Sequence, residues 1–286
     1  MPNTRTAPGE REGKPSADMS HEDKKSIDAR SSGSAKVVHE VVRLQGDEEL
    51  NRPLQSLMFS GFAAGVAITT SLLAEASLHL HLPDARWADL VAFLGYPVGF
   101  IIVILGKLQL FTESTVTAVL PFATRPTFRN MGRLLRLWAI VLVANMVGTL
   151  FVAFLISRCI IVGPEQLAAA IEVSRPIMAH DWLTTLLAAT PAGFLIASVA
   201  WTLPNARGSE FWVILTVTYI IALGGFSHVV AGSAEAWLLM LTGQATAVAA
   251  TGGFILPALL GNLIGGTGLF AVVAHGQVRE EIDTEG

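Results

Sequence analysis

Cysteine is almost absent from this sequence. One residue, Cys159, in 286 excludes an intrachain disulfide and any cysteine-rich metal site. Charge is scarce as well, 15% Asp, Glu, Lys and Arg against 52% hydrophobic residues, with a mean hydropathy of +0.54. What charge exists crowds toward one end, because residues 1–52 hold 9 of the 19 Lys+Arg and 10 of the 23 Asp+Glu. The long charge-poor remainder reads as a polytopic membrane protein. Against that background a net charge of −4 says little about partners, and nothing in it points to nucleic acid. Also missing are Gly-x-Ser-x-Gly, paired aspartates and His-Glu-x-x-His, so an intramembrane enzyme lacks a catalytic constellation and none is expected. The polar N-terminus has no apolar h-region, so no cleavable signal is expected and the first span directs insertion.

Residues 1–35, rich in Ser, Gly, Pro and mixed charge, are expected to be a disordered cytoplasmic tail. From Lys36 to Leu44, Val37, Val38, Val41, Val42 and Leu44 recur at near-helical spacing. They predict a short amphipathic helix lying on the membrane or on a neighbouring subunit. The expected division is therefore a tail over 1–50, a six-helix transporter domain over 51–278 and a second cytoplasmic tail over 279–286.

Six spans are predicted, at about 56–78, 88–121, 134–156, 183–203, 210–241 and 252–275, each near the ~20 residues that cross hydrocarbon. The second and fifth are too long for one straight helix. Each is interrupted, at Gly106-Lys107-Leu108-Gln109 before Leu110-Phe111-Thr112-Glu113, and at Gly224-Gly225-Phe226-Ser227-His228. Interrupted segments at matching positions of two halves point to a midplane binding site. Asn145-x-x-Gly148 in span three and Asn262-x-x-Gly265 in span six also match, 33 positions after Thr112 and 34 after His228. Three spans per half predict a 3+3 inverted repeat. Loop Lys and Arg divide 15 to 3 when the N-terminus is placed inside, which predicts that both termini are cytoplasmic.

Histidine at bilayer depth is costly and should face a cavity or a partner. His228 is thus either a protonatable centre of an anion path or a satisfied core histidine between helices. A bare anion in an apolar pore lacks solvation, and an imidazole near pKa 6.5 can pair with it or protonate it. Thr112 either presents its hydroxyl to the pore or caps the second half-helix. Lys107 either attracts anions at a vestibule, pairs with Glu113 or Glu235, or snorkels to an interface. Those two carboxylates follow the breaks and suit half-helix N-termini. Phe111, Phe226 and Leu110 are candidate apolar constrictions, or plain core. Asn145 and Asn262 are expected to hydrogen-bond unwound backbone, with Gly224, Gly225, Ser227 and Glu113 supporting the breaks. Gly61, Gly65, Gly148, Gly261, Gly265 and Gly266 allow close helix approach. Glu75, His79 and His81 are expected at an interface. No third ligand joins the two histidines, so neither a metal nor a cofactor is expected.

Leu110-Phe111-Thr112, Phe226-Ser227-His228 and the two Asn-x-x-Gly motifs, in this order on six spans, resemble the formate/nitrite transporter family over residues 50–278. Arg52-Pro53 and Ser60-Gly61-Phe62-Ala63-Ala64-Gly65 resemble a bacterial inner-membrane branch of it. The resemblance implies an aquaporin-like fold, a homopentamer with one pore per subunit, and passage of a small monovalent anion with a proton. The chain departs from the family at Gln109, where an acidic residue is usual, and at Ser227, where glutamate is usual. It departs again at Ala192-Gly193-Phe194, in place of Cys-Asn-Trp, and at Glu113, in place of glycine. Formate-like or nitrite-like anions are the expected cargo. A water or polyol pore and a non-conducting regulatory membrane protein are the alternatives.

Overall fold

A computed structural model of the chain describes residues 34–283, with side chains through Val278. The tail expected over 1–35 lies outside the described residues, apart from its last two positions. Every regular element among the described residues is helical. In chain order they are α1 (Ala35–Asn51), α2 (Leu54–His81), α3 (Ala88–Leu105), α4 (Ser114–Thr124) and α5 (Phe128–Ser157). Then follow α6 (Pro164–Ser174), α7 (Trp182–Asn205), α8 (Glu210–Leu223), α9 (Val229–Leu241) and α10 (Ala249–Val278).

Five of these, α2, α3, α5, α7 and α10, are long and apolar enough to cross a membrane. The segments read as second and fifth spans are each two helices with a break between them. In the later pair α8 has 14 residues and α9 has 13, about 20 Å apiece and short of the ~30 Å hydrocarbon core. The uninterrupted spans run past the expected limits at both ends because polar flanks continue the helix beyond its apolar part. Helix α6 is amphipathic rather than uniformly apolar, and a search for long apolar runs passes over it.

Two pairings organise the bundle, α2 on α5 and α7 on α10. Both are backbone-close. A Cβ on Gly148 would strike the Phe62 carbonyl, and one on Gly193 would strike the Asn262 carbonyl. Gly193 is one of the departures from the family pattern, and here its lack of a side chain lets α7 touch α10.

Helix α1 is 17 residues long, and one of its faces packs on its own chain. Its buried face, Val38, His39, Val42, Gly46 and Leu50, follows helical spacing. Val38 and Val42 meet Leu120 and Trp201, Gly46 abuts the Thr117 carbonyl, and the Thr117 hydroxyl donates to Glu49 Oε2 at 2.8 Å. Outward faces of α2 and α5 stay apolar, with Met58, Phe59, Val143 and Val147 exposed.

Candidate functional site

Helix α3 ends as helix α8 does, bond for bond. Gly106 N–H donates to Ile102 O, Lys107 N–H to Ile104 O and Leu108 N–H to Val103 O. Gly224 N–H donates to Ile220 O, Gly225 N–H to Ala222 O and Phe226 N–H to Ile221 O. This is the Schellman arrangement, whose C′ residue turns left-handed. Lys107 takes that place with φ 52° and Gly225 with φ 62°.

Beyond each turn one asparagine ties the unwound backbone. Phe111 N–H donates to Asn145 Oδ1 at 2.9 Å, while Asn145 Nδ2 donates to Gly61 O and Gln109 O at 2.8 and 2.9 Å. Val229 N–H donates to Asn262 Oδ1 at 2.8 Å, while Asn262 Nδ2 donates to Ala189 O and Ser227 O at 2.8 and 2.9 Å. These contacts pair Gln109 with Ser227 and Phe111 with Val229, so the counterpart of His228 is Leu110. The sequence matching of Thr112 with His228 is corrected accordingly. An asparagine side chain reaches backbone one or two residues either way, so near-equal spacings did not fix the register.

Thr112 and His228 instead meet in space. His228 occupies the N-cap position of α9, and its Nδ1 accepts the Ala231 N–H at 3.1 Å. With Nδ1 committed as acceptor, a neutral ring carries its hydrogen on Nε2. That N–H faces Thr112 Oγ1, with Nε2 and Oγ1 2.7 Å apart. The Thr112 oxygen therefore accepts, and its own O–H is left to donate to another group. Both side chains are buried, 0% and 1% exposed. Thr112 does not cap α4, which starts without any side-chain cap bond. Phe100 stands edge-on to the imidazole, with ring centroids 5.0 Å apart.

Each break lines a cavity with the same three of its positions, and the second cavity reaches His228. The first, about 450 Å³, is lined by Lys107, Leu108 and Gln109 together with Glu48, Glu49, Arg52 and Glu113. The second, about 390 Å³, is lined by Gly225, Phe226 and Ser227, with His228, Tyr96, Glu75 and Glu235. Glu75 lies 21 positions along α2 from Leu54, about 30 Å of helix, so the cavities open toward opposite ends of the bundle. Burial pushes the Glu49 carboxyl above its ordinary value, against the opposing hydrogen bonds from Thr117 and Gln109.

The expected residues are not all gathered at one point. Lys107 and Glu113 belong to the first cavity, and Phe226 and Ser227 to the second. Leu110 and Phe111 are fully buried between helices, Phe111 lying edge-on to Trp138 with centroids 6.2 Å apart. Gly224 packs on the Phe226 ring, which a Cβ there would strike at 2.7 Å. Glu75 lines the second cavity. His79 pairs with Glu172 of α6 at 3.5 Å. Phe100, Tyr96 and Phe254 were missed, because an aromatic in an apolar run carries no local signal. That Tyr96 is one of only two tyrosines was the single hint available.

A bundle of apolar helices with two broken members meeting at a buried histidine–threonine pair defines a membrane channel or transporter. Residues 36–276 match the family model described as formate/nitrite transporter, and the chain belongs to that family. It is 38% identical over 251 residues to inner membrane protein YfdC of Escherichia coli (strain K12), covering 88% of this chain and 81% of that one. It is 26% identical over 188 residues to formate channel FocA of Haemophilus influenzae, covering 63% and 64%. Its fold is similar to that of a pentameric formate channel with formate bound. The TM-score there is 0.67 at 18% identity, covering 79% of this chain and 98% of that one. An FNT family ion channel matches with a TM-score of 0.64 at 18% identity, covering 84% and 94%.

Proposed function

We propose that this protein is a multi-pass inner-membrane channel for a small monovalent weak-acid anion of the formate or nitrite kind, with proton transfer involving the central pore histidine. The observation that carries it is the meeting of the two helix breaks at Thr112 Oγ1 and His228 Nε2, 2.7 Å apart. There the Thr112 O–H offers an anion or its acid a hydrogen bond at a fully buried point, and His228 behind it passes that hydrogen bond on through Nε2–H. Leu110, Phe111 and Phe226 exclude hydrated ions around that point. Lys107 and Arg52 draw the anion into the first cavity. Asn145, Asn262, Gly224, Gly225, Ser227 and Glu113 hold the breaks.

The matched turns and asparagine clamps support a six-span 3+3 inverted repeat with both termini cytoplasmic. Family membership and the apolar face containing Phe59 and Val143 support a homopentamer. The test is uptake of formate, nitrite, acetate, chloride and hydrosulfide into liposomes at acidic and neutral pH, with His228→Ala alongside. Wild-type uptake of formate or nitrite that the variant loses is expected; no uptake by the wild type rejects the anion channel. A neutral-solute pore is the second reading, favoured by the two carboxylates of the other cavity. It predicts glycerol or water flux without any anion uptake.

A further inference from the structure

The cavity beside His228 is built unlike an anion vestibule. Its ionisable lining is Glu75 of α2, Glu235 of α9, His180 before α7, the phenol of Tyr96 and His228 itself. Among the described residues no lysine or arginine lines it. Among the described residues no cationic or hydrogen-bonding side chain pairs with Glu75 or Glu235. Tyr96, 8% exposed, lines the same space, and its hydroxyl also has no partner among the described residues. The remaining charged groups nearby do not relieve the carboxylates. Asp89 of α3 acts on Glu75 with the same sign, and Glu172 of α6 is matched with His79. Two unpaired, partly buried carboxylates on one cavity need a compensating positive charge, and the smallest that fits is a proton.

Resting on the weak-acid reading above, we propose that Glu75 and Glu235 form a proton-loading station, so that the solute meets Thr112 and His228 as the undissociated acid. The step is a single proton transfer. The O–H bond of one glutamic acid breaks, its electron pair stays on the glutamate oxygen, and a new O–H bond forms on the anion. Water entering past His180, which is exposed, returns a proton to the glutamate. Tyr96 O–H holds the anion against the pair while the proton moves.

The geometry at His228 supports this division of roles. A second proton on its ring would have to displace the Ala231 N–H from Nδ1 and open the first turn of α9. Such a group passes on a hydrogen bond more readily than it stores a proton. The first cavity differs in holding cations as well as carboxylates, since Lys107 and Arg52 stand there beside Glu48, Glu49 and Glu113 and can meet the anion once its proton leaves to water.

The experiment uses liposomes holding the full chain and an internal pH dye, with formate outside at a series of external pH values. Wild type is compared with Glu75→Gln, Glu235→Gln, the double variant and Glu172→Gln as control. Size-exclusion profiles check assembly. Glutamine keeps the size and a hydrogen-bond donor but cannot release a proton. The double variant is expected to lose about a hundredfold of uptake at neutral pH, the usual worth of a positioned acid. Uptake should recover toward acid pH, where bulk water supplies the undissociated species, and Glu172→Gln should follow wild type. Wild-type rate and pH profile in the double variant overturn the proton-loading station while leaving the anion channel standing. No uptake by the wild type at any pH overturns both, which separates the two failures.

Discussion

Lys107 stands in the first break where Gly225 stands in the second, at φ 52° and 62° in two helix ends with the same hydrogen bonds. The left-handed region costs a side-chain-bearing residue about 1–2 kcal/mol, and glycine almost nothing. A Cβ on Gly225 would find open space, so the cost of adding one is conformational only. Gly225→Ala is expected to lower stability by about 1–2 kcal/mol. Lys107→Gly is expected to hold or slightly raise it, the relief being offset in part by the freer unfolded chain. Thermal unfolding of the detergent-solubilised protein measures both. The same Lys107→Gly variant should take up anions more slowly, because among the described residues the first cavity then keeps Arg52 as its one cation. A variant equal to wild type in uptake removes Lys107 from the anion path.

Asn145 and Asn262 each hold three backbone groups, one as acceptor and two as donor. Both are fully buried. Replacement by leucine leaves those groups unpaired, at about 3 kcal/mol or more per site. Aspartate keeps the acceptor but loses both donors and adds a charge, so it should be no milder. The two substitutions are expected to cost similar amounts, since the bond sets match. A large inequality in unfolding temperature would show that one break is held by something other than its asparagine.

The breaks were legible because polar and glycine residues inside apolar runs are expensive and stand out. Gly224, Gly225 and His228 have no reason to interrupt a span unless backbone must unwind there. The register between halves was not legible, since Asn145 and Asn262 fix it through side-chain bonds that tolerate small shifts in spacing. Nor was the N-cap role of His228, because the caps that sequence reading recognises are Ser, Thr, Asp and Asn. Helix α1 was seen only over Lys36 to Leu44. Its remaining turns through Asn51 carry charges that look like solvent-facing tail until Thr117 and Gln109 are placed beside Glu49. Glu75 sits 160 positions from Glu235, and neither residue alone announces a shared cavity.

Thr112 separates pore chemistry from packing with two conservative changes. Valine matches its shape but removes the hydroxyl, leaving the Nε2–H of His228 without its acceptor at 2.7 Å. That costs about 1–3 kcal/mol and removes the O–H offered to the solute, so formate uptake should be lost. Serine keeps the oxygen and is expected to retain most uptake. Equal loss in both variants would mean that the threonine methyl, and hence packing, is what matters. The liposome assay reads both.

Helix α1 carries two groups that burial shifts in opposite senses. Burial raises the Glu49 carboxyl from its ordinary 4.5, despite the Thr117 bond and the Arg52 and Lys107 charges. Burial first, and His275 second, lower His39 from its ordinary 6.5, with Glu40 opposing. His39 Nε2 lies 3.2 Å from His275 Nδ1, its ring edge-on to Trp201. A raised carboxyl binds its proton more tightly when α1 is docked, so Glu49 favours docking below 4.5 and this is lost as pH rises through the docked value. A lowered imidazole does the reverse: the contribution of His39 is present above 6.5 and lost as pH falls through its docked value. Docking of α1 is thus weakened from the alkaline side by Glu49 and from the acid side by His39. Amide exchange across Ala35–Asn51 measured against pH reads this directly. Glu49→Gln should flatten the rise in exchange toward alkaline pH, and His39→Gln the rise toward acid. An exchange profile unchanged by both substitutions would show that α1 is held by its apolar face alone, through Val38, Val42 and Leu50.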